Sequence, residues 1–148
     1  MQIYIDQSGK VEYTSKPTVV AYSNSKNKAI SISAVEKQKV QKVFRDADKP
    51  NMFMFKTLAI MIYLLIKKDI PKLQGIVIDR EYKGREDLIK KYVIELIRRG
   101  GDEFDPKDIH FKEIGKKNNA HKKAITVYRG EQKPDKVITS KDIYEWLV

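Results

Sequence analysis

Cysteine is absent from the 148-residue chain, which excludes disulfides, thiolate zinc sites and cysteine nucleophiles together. Glycine and proline are sparse, seven and five residues, and form no linker, low-complexity tract or phosphate-cradling loop of the GxxxxGK[ST] or GxGxxG kind. The two histidines, His110 and His121, are far apart and lack cysteine partners, so no zinc site is recognisable. Ser8, although close to Asp6, fits no nucleophilic-serine pattern. Long hydrophobic runs are also missing. The longest, Met52 to Ile66, is interrupted by Lys56 and Thr57 and is short for a bilayer span. The start, Met1-Gln2-Ile3-Tyr4-Ile5-Asp6, has no basic stretch or signal-peptide core, so a reducing, cytoplasmic compartment is expected. No helix pattern is basic on one face and aromatic on the other, so a membrane is not an expected partner.

Against these absences, 41% hydrophobic residues in periodic blocks are enough for one core, and the length suits a single domain spanning 1–148. Lys and Arg outnumber Asp and Glu by 30 to 20, a net charge of +10. Such an excess calls for a polyanionic partner, or for surface ion pairing in a heat-adapted chain.

The first third reads as strands. Ile3 and Ile5 alternate with polar neighbours before the Ser8-Gly9 turn. A second strand is expected from Val11 through Thr14, with a continuation over Thr18 to Tyr22, and a third near Ala29 to Ser33. Val35, Val40, Val43, Phe44 and Ala47 then predict a helix ending before Pro50. Met52 to Lys67 is apolar nearly all round, as in a core helix. Gly75 to Asp79 is a short apolar run typical of a buried parallel strand. Leu88, Ile89, Tyr92, Val93, Leu96 and Ile97 give the clearest helix, with acids at its start, arginines at its end and Gly100-Gly101 as its stop. Asp108 to Ile114 alternates as a strand, Asn118 to Tyr128 reads as helix in its first half, and Ser140 to Leu147 is a short capped helix. The fold class is therefore mixed α/β: three antiparallel strands first, then alternating helices and parallel strands, with Gly75–Asp79 parallel to the first strand.

Two strands end alike, Ile3-Tyr4-Ile5-Asp6 and Ile76-Val77-Ile78-Asp79. As parallel neighbours they would set two carboxylates side by side at the sheet edge where ligands gather, a place for a hard divalent cation. Asp at a strand end is also ordinary turn chemistry.

Tyr4-Ile5-Asp6-Gln7-Ser8-Gly9, Ser33-Ala34-Val35-Glu36, Ile76-Val77-Ile78-Asp79 and Asn118-Asn119-Ala120-His121-Lys122-Lys123-Ala124, in that order on those elements, resemble the acidic motifs of the ribonuclease H-like superfamily. His121 falls where ribonucleases H often carry Asp and some resolvases and Argonaute-like nucleases carry His. The resemblance implies a ribonuclease H-like mixed sheet and a metal-dependent nuclease cutting phosphodiester bonds with two Mg²⁺ or Mn²⁺ ions. Asp6, Glu36, Asp79 and His121 would be its catalytic and metal-binding residues. Gln7 and the two helices before the fourth strand depart from the family pattern, which leaves subfamily and substrate open. The histidine and the high charge tilt towards branched or structured DNA over RNA–DNA hybrid, and junction resolution would require a homodimer.

Single residues carry other readings too. Glu36, beside Lys37 and Lys39, also fits a solvated helix face. His121 fits a surface histidine, and Glu81 and Glu86 rival Glu36 for the third acid. Between Lys107 and Arg129 seven cations face two acids, and Lys112, Lys116, Lys117, Lys122, Lys123 and Arg129 are the candidate contacts to a DNA or RNA backbone. A non-catalytic nucleic-acid-binding module and a basic interaction protein are the alternatives.

Overall fold

Alternation in Gln2–Ser8 builds strand β1, and its two faces set the plan of the molecule. Ile3 and Ile5 point to one side and are fully buried; Asp6 points to the other. The computed structural model describes residues 1–147. In it β1 lies inside a six-stranded sheet with β2 (Thr18–Ser23), β3 (Asn27–Ile32), β4 (Gly75–Asp79), β5 (Ile109–Lys112) and β6 (Lys136–Ile138), ordered β5-β4-β1-β2-β3-β6. β1, β2 and β3 are antiparallel in succession; β4 is parallel to β1, β5 to β4 and β6 to β3. The expected mixed sheet, antiparallel first and parallel afterwards, is what forms.

Helices α1 (Ala34–Asp46), α2 (Phe53–Ile66), α3 (Glu86–Arg99) and α5 (Ser140–Tyr144) join the large core with Ile3, Ile5, Ile30, Ile76 and Ile78. Helix α4 (Asn119–Tyr128) joins a separate, smaller cluster instead. There Ala120, Ala124 and Val127 form its buried stripe, and Ala124 and Val127 pack with Val19, Ala21 and Ala29. Alanines on both surfaces let the helix approach the strands closely, which matters because α4 carries His121.

Several boundaries differ from expectation for identifiable reasons. The segment from Lys10 to Pro17 is a loop, not a strand. Successive turns from Tyr13 N–H to the Lys10 carbonyl and from Lys16 N–H to Tyr13 fold it over, and Pro17 cannot donate to a ladder. In α1 the buried stripe is Lys37, Val40 and Phe44, while Val35 and Val43 face solvent. A lysine displaces valines from the core side because its ammonium finds three acceptors there: the carbonyls of Lys10 and Tyr13, and Thr18 Oγ1. α4 continues through Tyr128 rather than stopping halfway, and α5 ends at Tyr144. β6 has no forerunner among the sequence expectations, since Lys136-Val137-Ile138 is short and charged and pairs only at the edge.

Gly9 closes β1 with φ of +74°, and a Cβ there would collide with the Pro17 carbonyl and the Tyr128 ring. Gly9→Ala is therefore expected to cost about 2–4 kcal/mol from left-handed strain plus overpacking. Urea unfolding checks this; a loss under about 0.5 kcal/mol would mean that the turn relaxes freely.

Candidate metal and catalytic site

The pairing of β1 with β4 matches Ile5 to Ile78, so the next residues, Asp6 and Asp79, stand side by side at the carboxyl ends of parallel strands. Glu81 joins them because the chain turns sharply after β4: its N–H donates to the Asp79 carbonyl at 3.0 Å. One carboxylate oxygen from each of Asp6, Asp79 and Glu81 lies within 4.8 Å of the others.

Surrounding groups fix each acid. Asp6 is almost wholly buried; its Oδ1 accepts the Gln7 N–H at 2.8 Å and its Oδ2 meets His121 Nδ1 at 2.8 Å. Asp79 Oδ1 accepts the Ile114 N–H at 3.0 Å, which ties the loop after β5 to the cluster. The basic segment is thus anchored at the acids, with Lys112 paired to Asp79 across β4 and β5. Lys112, Lys116, Lys117, Lys122 and Arg129 are exposed, and Lys123 is half-buried.

Crowded, desolvated carboxylates resist ionisation. Burial, with Asp79 adding repulsion, raises the Asp6 pKa, and the His121 hydrogen bond only partly offsets this. Burial first, then the charge of Asp79, pushes Glu81 up to about 7. A divalent cation would relieve both, and the donor set of carboxylate oxygens suits a hard ion. The three acids can hold a metal.

Beside them Gln7 Nε2 donates to the Tyr82 hydroxyl at 3.1 Å, and Tyr82 donates to Glu12 Oε1 at 2.9 Å. Among the described residues Gln7 Oε1 is buried with no partner, and Gln7 lines a small cavity together with Asp6, Asp79 and Glu81. Nothing in the residue pattern foretold this chain of contacts, because Tyr82, in the β4–α3 turn, lies 75 residues from Gln7 and 70 from Glu12.

Of the sequence candidates, Asp6, Asp79 and His121 come together, and the rival acid Glu81 completes the cluster. Glu36 does not join it. Its Oε1 accepts the N–H and hydroxyl of Ser140, at 2.8 and 3.0 Å, and its Oε2 pairs with Lys39 at 2.7 Å. Lys39, then the Ser140 N–H, holds its pKa down to about 2. Glu36 thus caps the first turn of α5 and stitches it to α1. Glu36→Gln should lower the melting temperature by a few degrees at most and leave metal binding intact, by thermal scans with and without Mn²⁺. Loss of the metal response would return Glu36 to the site. Glu86 is also outside the cluster, 3.5 Å from Arg80 at the start of α3.

Among the described residues no helix is long and apolar enough to cross a membrane. Comparison with protein-family models, with curated proteins and with solved structures gives no match to this chain.

Proposed function

We propose that the chain is a metal-dependent nuclease that hydrolyses phosphodiester bonds of DNA or RNA. The observation that carries this is the convergence of Asp6, Asp79 and Glu81 within 4.8 Å, joined through Asp79 and Ile114 to the basic loop. The strand order and the resemblance of the Asp6, Asp79 and His121 motifs to ribonuclease H-like nucleases support it, with Glu81 in place of Glu36 as third carboxylate.

Asp6, Asp79 and Glu81 would hold Mg²⁺ or Mn²⁺, two ions by analogy with the family. Such ions supply an activated water and stabilise the leaving oxygen of a phosphodiester. His121, bonded to Asp6 Oδ2, fixes the direction of that carboxylate, as partners of ligating groups commonly do. Lys112, Lys116, Lys117 and Lys122 would hold the phosphate backbone beside the acids without reading sequence.

The test is a cleavage screen with Mg²⁺ and with Mn²⁺ over RNA–DNA hybrid, single strands, duplex and four-way junction, each repeated with chelator. Metal-dependent cleavage of at least one substrate is expected, and the substrate cut names the class. Absence of cleavage with either ion, despite salt-sensitive binding, would leave a binding module instead.

A further inference from the structure

A second, roomier cleft lies away from the acids. It opens between α2 and α3, where the segment after α5 crosses them, and encloses about 370 Å³, within the range of small-ligand sites. Its floor is apolar, from Ile60, Leu96 and Leu147, and its walls include the rings of Tyr92 and Trp146. Lys56, Arg98 and Arg99 line it, with Glu95 the one acid among its described lining residues.

The aromatic walls are held in place. The Trp146 ring sits edge-on to Tyr63 with centroids 4.8 Å apart, and its carbonyl accepts from Arg99 at 2.6 Å. Arg99 and Lys67 approach the Trp146 ring at 5.9 and 5.7 Å, and Lys56 lies 5.4 Å from the Tyr92 ring centre. Arg98 is drawn partly towards Glu103, at 3.7 Å, which leaves Lys56, Lys67 and Arg99 as the cations nearest the rings.

This lining selects one ligand chemistry. A cation would be repelled. A small inorganic anion would leave the rings and the apolar floor in water, and a purely apolar ligand would strip water from the cations without pairing them. A planar aromatic body carrying an anionic group satisfies both halves: the ring stacks on aromatic faces while the anion meets lysine and arginine. We propose that this cleft binds a nucleotide, its base against Trp146 and Tyr92 and its phosphate at Lys56 and Arg99. Either a free nucleotide or the exposed nucleotide of a single strand supplies that chemistry.

Trp146 is the single tryptophan of the chain, so its fluorescence reports on this cleft directly. The full chain is titrated in chelator, which keeps the acid cluster out of play, with adenosine 5′-monophosphate, adenosine, inorganic phosphate and a single-stranded oligoadenylate. Saturable quenching by the monophosphate is expected, at least about tenfold tighter than by adenosine, with none from phosphate. Lys56→Gln should weaken the monophosphate about tenfold and leave adenosine unchanged; Tyr92→Leu should weaken both. Tighter binding of the oligonucleotide would name the strand as source, and equal or weaker binding the free nucleotide. Absence of quenching by every ligand, or equal affinity for adenosine and its monophosphate, would overturn the assignment. Because no metal or cleavage is read, its failure is separate from that of the nuclease reading.

Discussion

Asp6→Asn is expected to make the metal-free protein more stable while lowering cleavage by more than roughly 100-fold, since even the partners of metal ligands are worth 10–100-fold. The stability half follows from linkage. The folded-state pKa of Asp6 lies above its ordinary value, so the folded state holds the proton more tightly than the unfolded chain does. Stability from this group is present at low pH and is lost as pH rises through that window. Glu81 behaves alike between about 4.5 and 7. At neutral pH, without metal, the cluster therefore opposes folding. Asparagine removes one charge but keeps the shape, an acceptor for the Gln7 N–H and a polar group for His121. That relief should raise the melting temperature, by roughly 2–4 °C for each kcal/mol in a chain of this size. The same substitution should abolish the stabilisation expected of wild type with Mg²⁺ or Mn²⁺, about 2.7 kcal/mol at a hundredfold excess over Kd. It should lower the Glu81 pKa only slightly, because burial and Asp79 raise it more than Asp6 does. His121→Asn, which removes the hydrogen bond that directs Asp6 and eases its ionisation, should reduce cleavage by roughly 10–100-fold. Thermal scans, cleavage rates and carboxylate titration by NMR read all of this. If Asp6→Asn lowered apo stability and kept both the metal response and the cleavage rate, Asp6 would be a structural acid.

The two aspartates were legible in the sequence for a reason that Glu36 lacks. Ile3-Tyr4-Ile5-Asp6 and Ile76-Val77-Ile78-Asp79 repeat one pattern on two strands, and the handedness of the crossover makes those strands parallel. Side-chain direction on a strand then follows from period two. Glu81 lies beyond the strand, where the turn at Asp79 decides its direction, so it could be ranked only as a rival. Glu36 is drawn away by Ser140, 104 residues on, on a helix reached through a strand too short and charged to be foreseen. His121 was visible as a residue type, but its contact with Asp6 depends on the small-residue seam that lets α4 approach the sheet. Periodicity likewise could not say which of two overlapping stripes of α1 faces inward, because hydropathy ranks Val35 and Val43 above Lys37. Only the acceptors of the Lys10–Thr18 segment reverse that order.

Lys37 is accordingly where the second large effect is expected. It is fully buried, and burial brings its pKa down to about 8, against a smaller upward pull from Glu12. Lys37→Ala leaves a cavity and three acceptors without their donor, a loss of about 3–5 kcal/mol. Lys37→Met leaves the same three acceptors unpaired but fills the space and removes a costly buried charge, so at pH 7 it should lose less than Lys37→Ala, about 1–3 kcal/mol. The two variants part further with pH. A lysine whose folded pKa is depressed carries its penalty below that pKa and is relieved as pH rises towards the unfolded value. Wild type therefore gains stability relative to Lys37→Met between about pH 8 and 10.5, by an amount on the order of 3 kcal/mol. Other lysines and tyrosines titrate in both proteins and cancel in the difference. Denaturant unfolding at pH 7, 8.5 and 10 measures it, and a flat difference would mean that the amine titrates as if in water. The loop held by Lys37 also carries Glu12, which receives the Tyr82 hydroxyl beside Gln7. Loss of the ammonium should therefore speed amide exchange across Lys10 to Pro17 before it touches the sheet, coupling a lysine on α1 to the wall of the acid cluster.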